Sequence, residues 1–257
     1  TNGDYYHAVS LSFTEPWLGG RKPNALSVGV YYSYQDDGFW NTTGTSEYYI
    51  GILGGSVSLA TRLKWPDDYF TFVHGLAYQQ YNVKNYTTLT AMPTGISNNI
   101  NYNFTLARNS VDQLIYPRQG SDVSLQAQMT FPYSLVNGKD YSNLTSQERY
   151  KWLEYYKVNI RAAWYFNLFD DLVVSTRARF GFLGQYNSKV GYSPFERFYV
   201  GGDGLTGYNL DGRELVALRG YDESSLSPDG GGMIFDKYTM ELRYPITLNE
   251  GASVYAL

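Results

Sequence analysis

The sequence predicts an all-β chain, an antiparallel transmembrane β-barrel present in part, and three observations predict it. Apolar and small polar residues alternate strictly along one segment after another. The segments reach about the 9–11 residues a tilted strand needs to cross a bilayer, where a soluble sandwich would use strands of about five or six. Aromatic residues are far above ordinary usage, with 27 Tyr and 13 Phe among 257 residues. Tyr34, Tyr48, Tyr81, Tyr156 and Trp164 fall near segment ends, as interfacial girdles do.

Each strand follows in order. Tyr5 to Glu15 alternates first. From Ala25 to Gln35, Leu26, Val28, Val30, Tyr32 and Tyr34 share one face, while Ser27, Gly29, Ser33 and Gln35 share the other. Tyr48 to Arg62 is third; its phase blurs at Gly54 and Gly55, where the sequence allows a bulge. Tyr69 to Tyr81 is fourth. From Ile100 to Arg108, Ile100, Tyr102, Phe104 and Leu106 oppose Asn101, Asn103, Thr105 and Ala107. From Ser121 to Phe131, Val123, Leu125, Ala127, Met129 and Phe131 oppose Ser124, Gln126, Gln128 and Thr130. From Tyr156 to Phe166, Val158, Ile160, Ala162 and Trp164 oppose Lys157, Asn159, Arg161 and Tyr165. Leu172 to Gln185 and Met233 to Ile246 complete nine strands, and a tenth begins at Ala252.

A soluble sandwich also alternates, but it turns its polar face outward and packs large apolar residues within. Here the polar faces carry Ser, Asn, Gln, Thr and Arg, which suit a wet lumen. A negative mean hydropathy is compatible with this reading, because a barrel strand is apolar only on its lipid side. The connections orient the barrel. Pro16 to Asn24, Leu63 to Asp68, Asn109 to Gly120 and the Asp170-Asp171 turn fall at one end. Asp36 to Glu47, Asn82 to Ser97, Pro132 to Glu154 and Tyr186 to Gly232 fall at the other. Outer-membrane barrels keep short turns in the periplasm, so the second group faces the exterior.

Several function classes drop out. The net charge of −4 argues against nucleic-acid binding. With no Cys there is neither a disulfide framework nor a thiolate metal site. No run of eighteen apolar residues appears, which excludes a transmembrane helix. His7 and His74 share strand phases with apolar residues and read as packing or interface histidines. Asp36-Asp37, Asp67-Asp68 and Asp170-Asp171 read as solvated turn residues. No catalytic constellation, metal site or phosphate loop is present, so neither an enzyme nor a cofactor is expected.

The inward rows are more informative. Lys157, Arg161, Arg177, Arg179, Lys237 and Arg243 form a basic wall with Glu241 among them. The long connection from 186 to 232 carries Asp203, Asp211, Glu214, Asp222, Glu223 and Asp229 around Leu218-Arg219-Gly220-Tyr221. If this loop bends inward, its carboxylates meet the wall and Arg219 meets Glu241; the alternative is a solvated loop without a fixed position.

Five stretches carry a family resemblance: Phe13 to Gly20 (FTEPWLGG), Tyr116 to Gly120 (YPRQG), Phe195 to Gly202 (FERFYVGG), Leu218 to Tyr221 (LRGY) and Met240 to Pro245 (MELRYP). Together they resemble the barrel of the BamA family of outer-membrane insertases over essentially the whole chain. The Arg-Gly-aromatic motif alone marks a wider superfamily that includes TamA and two-partner secretion transporters; the Glu-Pro-Trp turn favours BamA. The resemblance implies an integral protein of the bacterial outer membrane, with residues 1–257 spanning the fourth to thirteenth of sixteen strands. On that reading the first and last strands, which form the lateral seam, and the POTRA domains lie outside this sequence. It also implies that the loop of 186–232 folds into the lumen, that Arg219 contacts Glu241, that Gly220 allows close approach to the wall and that Tyr221 packs there. The implied partners are outer-membrane lipids, unfolded β-barrel clients and the accessory proteins of the BAM complex. A secretion pore of the same superfamily, a porin selecting anions, and an outer-membrane phospholipase are the rival readings.

Overall fold

The computed structural model describes residues 6–20, 24–36, 48–86, 91–205, 213–249 and 252–256. In chain order the strands are β1 (Tyr6–Glu15), β2 (Asn24–Asp36), β3 (Tyr49–Arg62), β4 (Phe70–Lys84), β5 (Gly95–Asn109), β6 (Gly120–Thr130), β7 (Tyr156–Phe169) and β8 (Leu172–Gly184). Two short strands follow, β9 (Phe198–Val200) and β10 (Glu214–Val216), then β11 (Ile234–Asn249) and β12 (Ala252–Ala256). One 10-stranded sheet runs β1-β2-β3-β4-β5-β6-β7-β8-β11-β12. Every pairing within it is antiparallel between neighbours along the chain, apart from the excursion that carries β9 and β10. Among the described residues no helix is long and apolar enough to cross a membrane.

Alternation decides the faces. Val9, Leu11 and Phe13 of β1, Val28, Val30 and Tyr32 of β2, and Tyr238, Met240 and Leu242 of β11 are exposed on the outer side. Val123 and Leu125 lie on this side too. Their neighbours Asp122, Ser124, Gln126 and Gln128 line inner cavities, and a strand alternates with period two. An apolar outer face and a polar inner one is the reverse of a soluble β-protein, and is the signature of a barrel in lipid. His7 stacks on Tyr34 and His74 on Phe72 within outward aromatic rows, so both histidines are packing residues.

Two local expectations are corrected. No bulge occurs at Gly54 and Gly55, because the register of β3 with both neighbours runs through them without a shift. A Cβ on Gly54 would lie 2.3 Å from the Tyr31 ring. The glycine clears space for Tyr31 to lie across the strand and reach Gln79 on β4. The register slips instead at Asn167/Phe169 and at Pro245/Thr247. The fourth connection also shortens to residues 85–94, because β4 and β5 continue pairing as far as Val83 and Gly95. The contrast between the two ends therefore rests mainly on 131–155 and 185–233.

The second of these long connections fills part of the lumen. β9 and β10 pair in parallel, and the chain folds back on them, with Phe198 and Gly232 exchanging two backbone hydrogen bonds. The first connection holds helices α1 (Tyr133–Val136) and α2 (Ser146–Arg149) and covers the same end. An apolar cluster lies there, including Ile50, Ile52, Tyr81, Val83, Tyr86, Leu153, Leu183, Phe198 and Phe235. Packing is thus concentrated at the long-connection end of the lumen.

Candidate functional site: the lumen wall and its inserted loop

Gly181 of β8 prepares the seat of the loop. A Cβ there would lie 2.2 Å from the Phe235 ring and 2.8 Å from that of Phe198. Its absence lets Phe198 enter edge-on against Phe235, centroids 4.8 Å apart, and become fully buried. Phe195 stacks on Tyr81 of β4 at 4.1 Å, so the same short stretch touches well-separated strands of the wall.

Lys157 of β7 is the polar anchor. Its side chain is 5% exposed, with Nζ 3.1 Å from Glu196 and 2.9 Å from Glu214. It also lies 4.8 Å from the centre of the Phe198 ring. Around Glu196 a chain of hydrogen bonds crosses the inner face. Tyr155 donates its hydroxyl to Glu196 at 3.1 Å, Asn99 donates to Tyr155 and to Gln79, and Gln79 donates to Tyr31 at 2.7 Å. Burial, and then the charge of Glu196, push the Tyr155 hydroxyl well above its ordinary range and keep it a donor. A buried ammonium needs this arrangement, because an unpaired charge in a dry site is expensive.

The deeper part of the wall is arranged differently. Arg161, Arg179 and Lys237 lie directly opposite one another across β7, β8 and β11. Arg177 and Glu241 follow toward the short-connection end. Glu241 pairs with Arg177 through one oxygen and with Arg243 through the other, at 2.8 Å from Nη2 and 3.1 Å from Nε. The Arg243 guanidinium lies over the rings of Tyr165 and Tyr116, 5.5 and 5.8 Å from their centres. Arg118 of the YPRQG stretch reaches Asp171 of the β7–β8 turn.

The expected contact between Arg219 and Glu241 is therefore corrected. Both line one cavity of about 840 Å³, but Arg219 is exposed and makes no hydrogen bond or ion pair with a described residue. Glu241 is satisfied within its own sheet, by the next residue on its face and by a diagonal neighbour on β8. Such neighbours lie closer than a loop across the cavity. Gly220 meets nothing within 4 Å of a built Cβ, so what its position requires is its φ of +90°, not close approach. Tyr221 is exposed and does not pack on the wall. The Leu218-to-Tyr221 turn is held through Gly202, whose N–H donates to Tyr221 O and whose carbonyl accepts from Leu218 N.

Of the loop acids expected at the wall, Glu214 reaches it. Asp203, Asp222, Glu223 and Asp229 are exposed, and Asp211 lies outside the described residues. Glu196 was not expected as a partner of Lys157. Its position in the FERF stretch, beside two aromatics that need burial, was the available signal.

The model of the Omp85 superfamily domain matches residues 1–256. The chain is similar to the crystal structure of BamA from Haemophilus ducreyi lacking POTRA domains 1–3, with a TM-score of 0.68 and 18% identity. The match covers 96% of this chain and 47% of that one, so this chain spans about half its length. At that identity the likeness carries the fold.

Proposed function

Because the chain belongs to the Omp85 superfamily, we propose that it forms part of the barrel of a non-enzymatic assembly factor of the bacterial outer membrane, which inserts and folds other β-barrel proteins. The observation that carries this reading is a lumen occupied by its own chain, anchored through Phe198 and through Lys157 between Glu196 and Glu214. A diffusion pore needs a clear path; an insertase needs a rigid scaffold beside an edge that can pair. In the proposed mechanism the barrel thins the adjacent bilayer, and a lateral seam offers unpaired backbone groups to an incoming strand. Edge pairing supplies hydrogen bonds that lipid cannot. Unfolded barrel clients, outer-membrane lipids and accessory proteins are the proposed partners, with the seam at strands other than those between β1 and β12.

The test uses the full-length protein in cells depleted of the native copy. Lys157→Met, which removes the cation between Glu196 and Glu214, is expected to lower the amount of folded client barrels in the outer membrane while the barrel itself stays folded, as heat-modifiable gel mobility would show. Normal client insertion by a folded variant would count against the insertase. Steady, large single-channel conductance from the full barrel would identify a porin, and dependence on one dedicated soluble partner a secretion pore.

A further inference from the structure

We propose that the deeper half of the lumen contains a binding site for a small multivalent oxyanion, a ligand carrying phosphate groups, between the wall of β7, β8 and β11 and the Arg219 turn. The argument begins with a local cost. Arg161 and Arg179 face each other in register, and so do Arg179 and Lys237, which puts three cations in one row across three adjacent strands. Like charges directly opposite one another destabilise a sheet, so such a row calls for an anion.

The chain answers it only in part: Glu214 shares a cavity with Arg161 and Arg179 and acts on Arg179 through space, and the Arg179 guanidinium lies 5.8 Å from the centre of the Phe235 ring. Neither Arg161 nor Arg179 makes a hydrogen bond or ion pair with a described residue. Nε of Arg179 is buried without a partner, as is Nε of Arg177. Lys237 spends one proton on Ala217 O at 2.5 Å, which ties the loop to this row. The cavity in front of the row holds about 840 Å³, within the range of small-molecule sites, and five cations and two carboxylates line it. Glu241 is already engaged by Arg177 and Arg243. Asp122 is exposed and forms no ion pair among the described residues. Glu214, the loop acid that reaches the wall, is committed to Lys157.

The chemistry selects the ligand class. A guanidinium presents a planar fork of N–H donors that fits two oxygens of one phosphate. Two opposed guanidiniums with an ammonium beside them suit a group bearing several oxygens better than a halide. The cations stand on the lumen side of the sheet, so a soluble phosphate ligand has the direct route. Because Arg219 and Lys237 bracket the same cavity from loop and wall, occupancy would tie the Leu218-to-Tyr221 turn to β11.

Pyrophosphate is the probe. The full-length protein is prepared in phosphate-free buffer in nanodiscs of zwitterionic lipid, and binding is measured by calorimetry at low ionic strength. Saturable binding is expected, weakened at least tenfold in Arg179→Gln and unchanged in Arg118→Gln at the short-connection rim. Removing one of three clustered cations relieves repulsion, so Arg179→Gln should fold; if its gel mobility shows otherwise, Lys237→Gln serves the same purpose. Competition by nanodiscs containing anionic phospholipid would identify a headgroup phosphate as the ligand, and its absence a soluble one; either outcome retains the site. Failure to saturate, equal affinity in wild type and variant, or an effect reproduced by sodium chloride at matched ionic strength would overturn the proposal.

Discussion

The two halves of the lumen solve the same electrostatic problem in opposite ways. Toward the long connections, Lys157 is buried between two loop carboxylates and beside an aromatic ring. Deeper in, Arg161, Arg179 and Lys237 face an open cavity with their charges largely uncompensated by the chain. The same strands and inward rows supply both sets of cations. The difference lies in what the loop brings: two of its carboxylates, Glu196 and Glu214, converge on one lysine, and Arg219 is added to the other group. Satisfied charge in a packed region fixes position, whereas unsatisfied charge beside a cavity is available to a ligand.

The largest expected effect follows from breaking the packed half. Lys157→Met leaves Glu196 and Glu214 facing each other without a cation. Removing one partner of a buried pair costs about 3–5 kcal/mol in a dry site, and less where water enters. The stretch 195–205 should become accessible to protease under conditions that leave it intact in the wild type. Unaltered protection would place the anchor in the aromatic contacts alone.

A smaller effect separates shape from charge. Gly181→Val fills the space that Phe198 and Phe235 use, and overpacking of this kind costs about 1–3 kcal/mol. Here the barrel should keep its folded gel mobility at ordinary temperature but unfold at a lower one, with the Lys157 pairs weakened because Phe198 carries Glu196 with it. An unchanged unfolding temperature would mean that the rings move aside freely.

The smallest effect lies outside the lumen. In the 131–155 connection, hydrogen bonds from Ser142 and the nearby Lys189 ammonium lower the pKa of Asp140 to about 2. The folded value lies below the unfolded one, so the contribution is present above the ordinary carboxylate range and is lost as pH falls through about 2. Because the group is solvent-exposed, Asp140→Asn should alter the acid limb of unfolding only slightly and leave neutral-pH stability nearly unchanged. A large loss at pH 7 would show that the contact between the two long connections matters more than its exposure suggests.

How much was legible varies by region. Strand positions could be read closely because lipid on one side and water on the other impose a period of two on every crossing residue. The fifth strand, expected over Ile100 to Arg108, runs Gly95–Asn109. Past Ile100, Ser97 and Asn99 keep the inward phase and are buried by hydrogen bonds to Tyr150 O and Tyr155 Oη, but the outward position between them is the polar Asn98, which donates to Lys151 O, so the apolar row is interrupted. The inward placement of Lys157, Arg161, Arg177, Arg179, Lys237 and Arg243 was readable from parity alone. The partners were not, since a row gives the direction of a side chain and says nothing of which loop atom arrives in front of it.

By itself the sequence determined the ten-stranded alternation, the two faces and the row of cations, because each is set by local geometry repeated along the chain. Only the tertiary structure decided that Glu196 joins Glu214 on Lys157, that Glu241 stays with Arg177 and Arg243, and that Arg219 faces a cavity. The first depends on where residues 39 and 57 positions from Lys157 come to rest, which follows from how Phe198 fits beside Gly181 and Phe235, and the second on the strand pairing that sets Arg177 diagonal to Glu241.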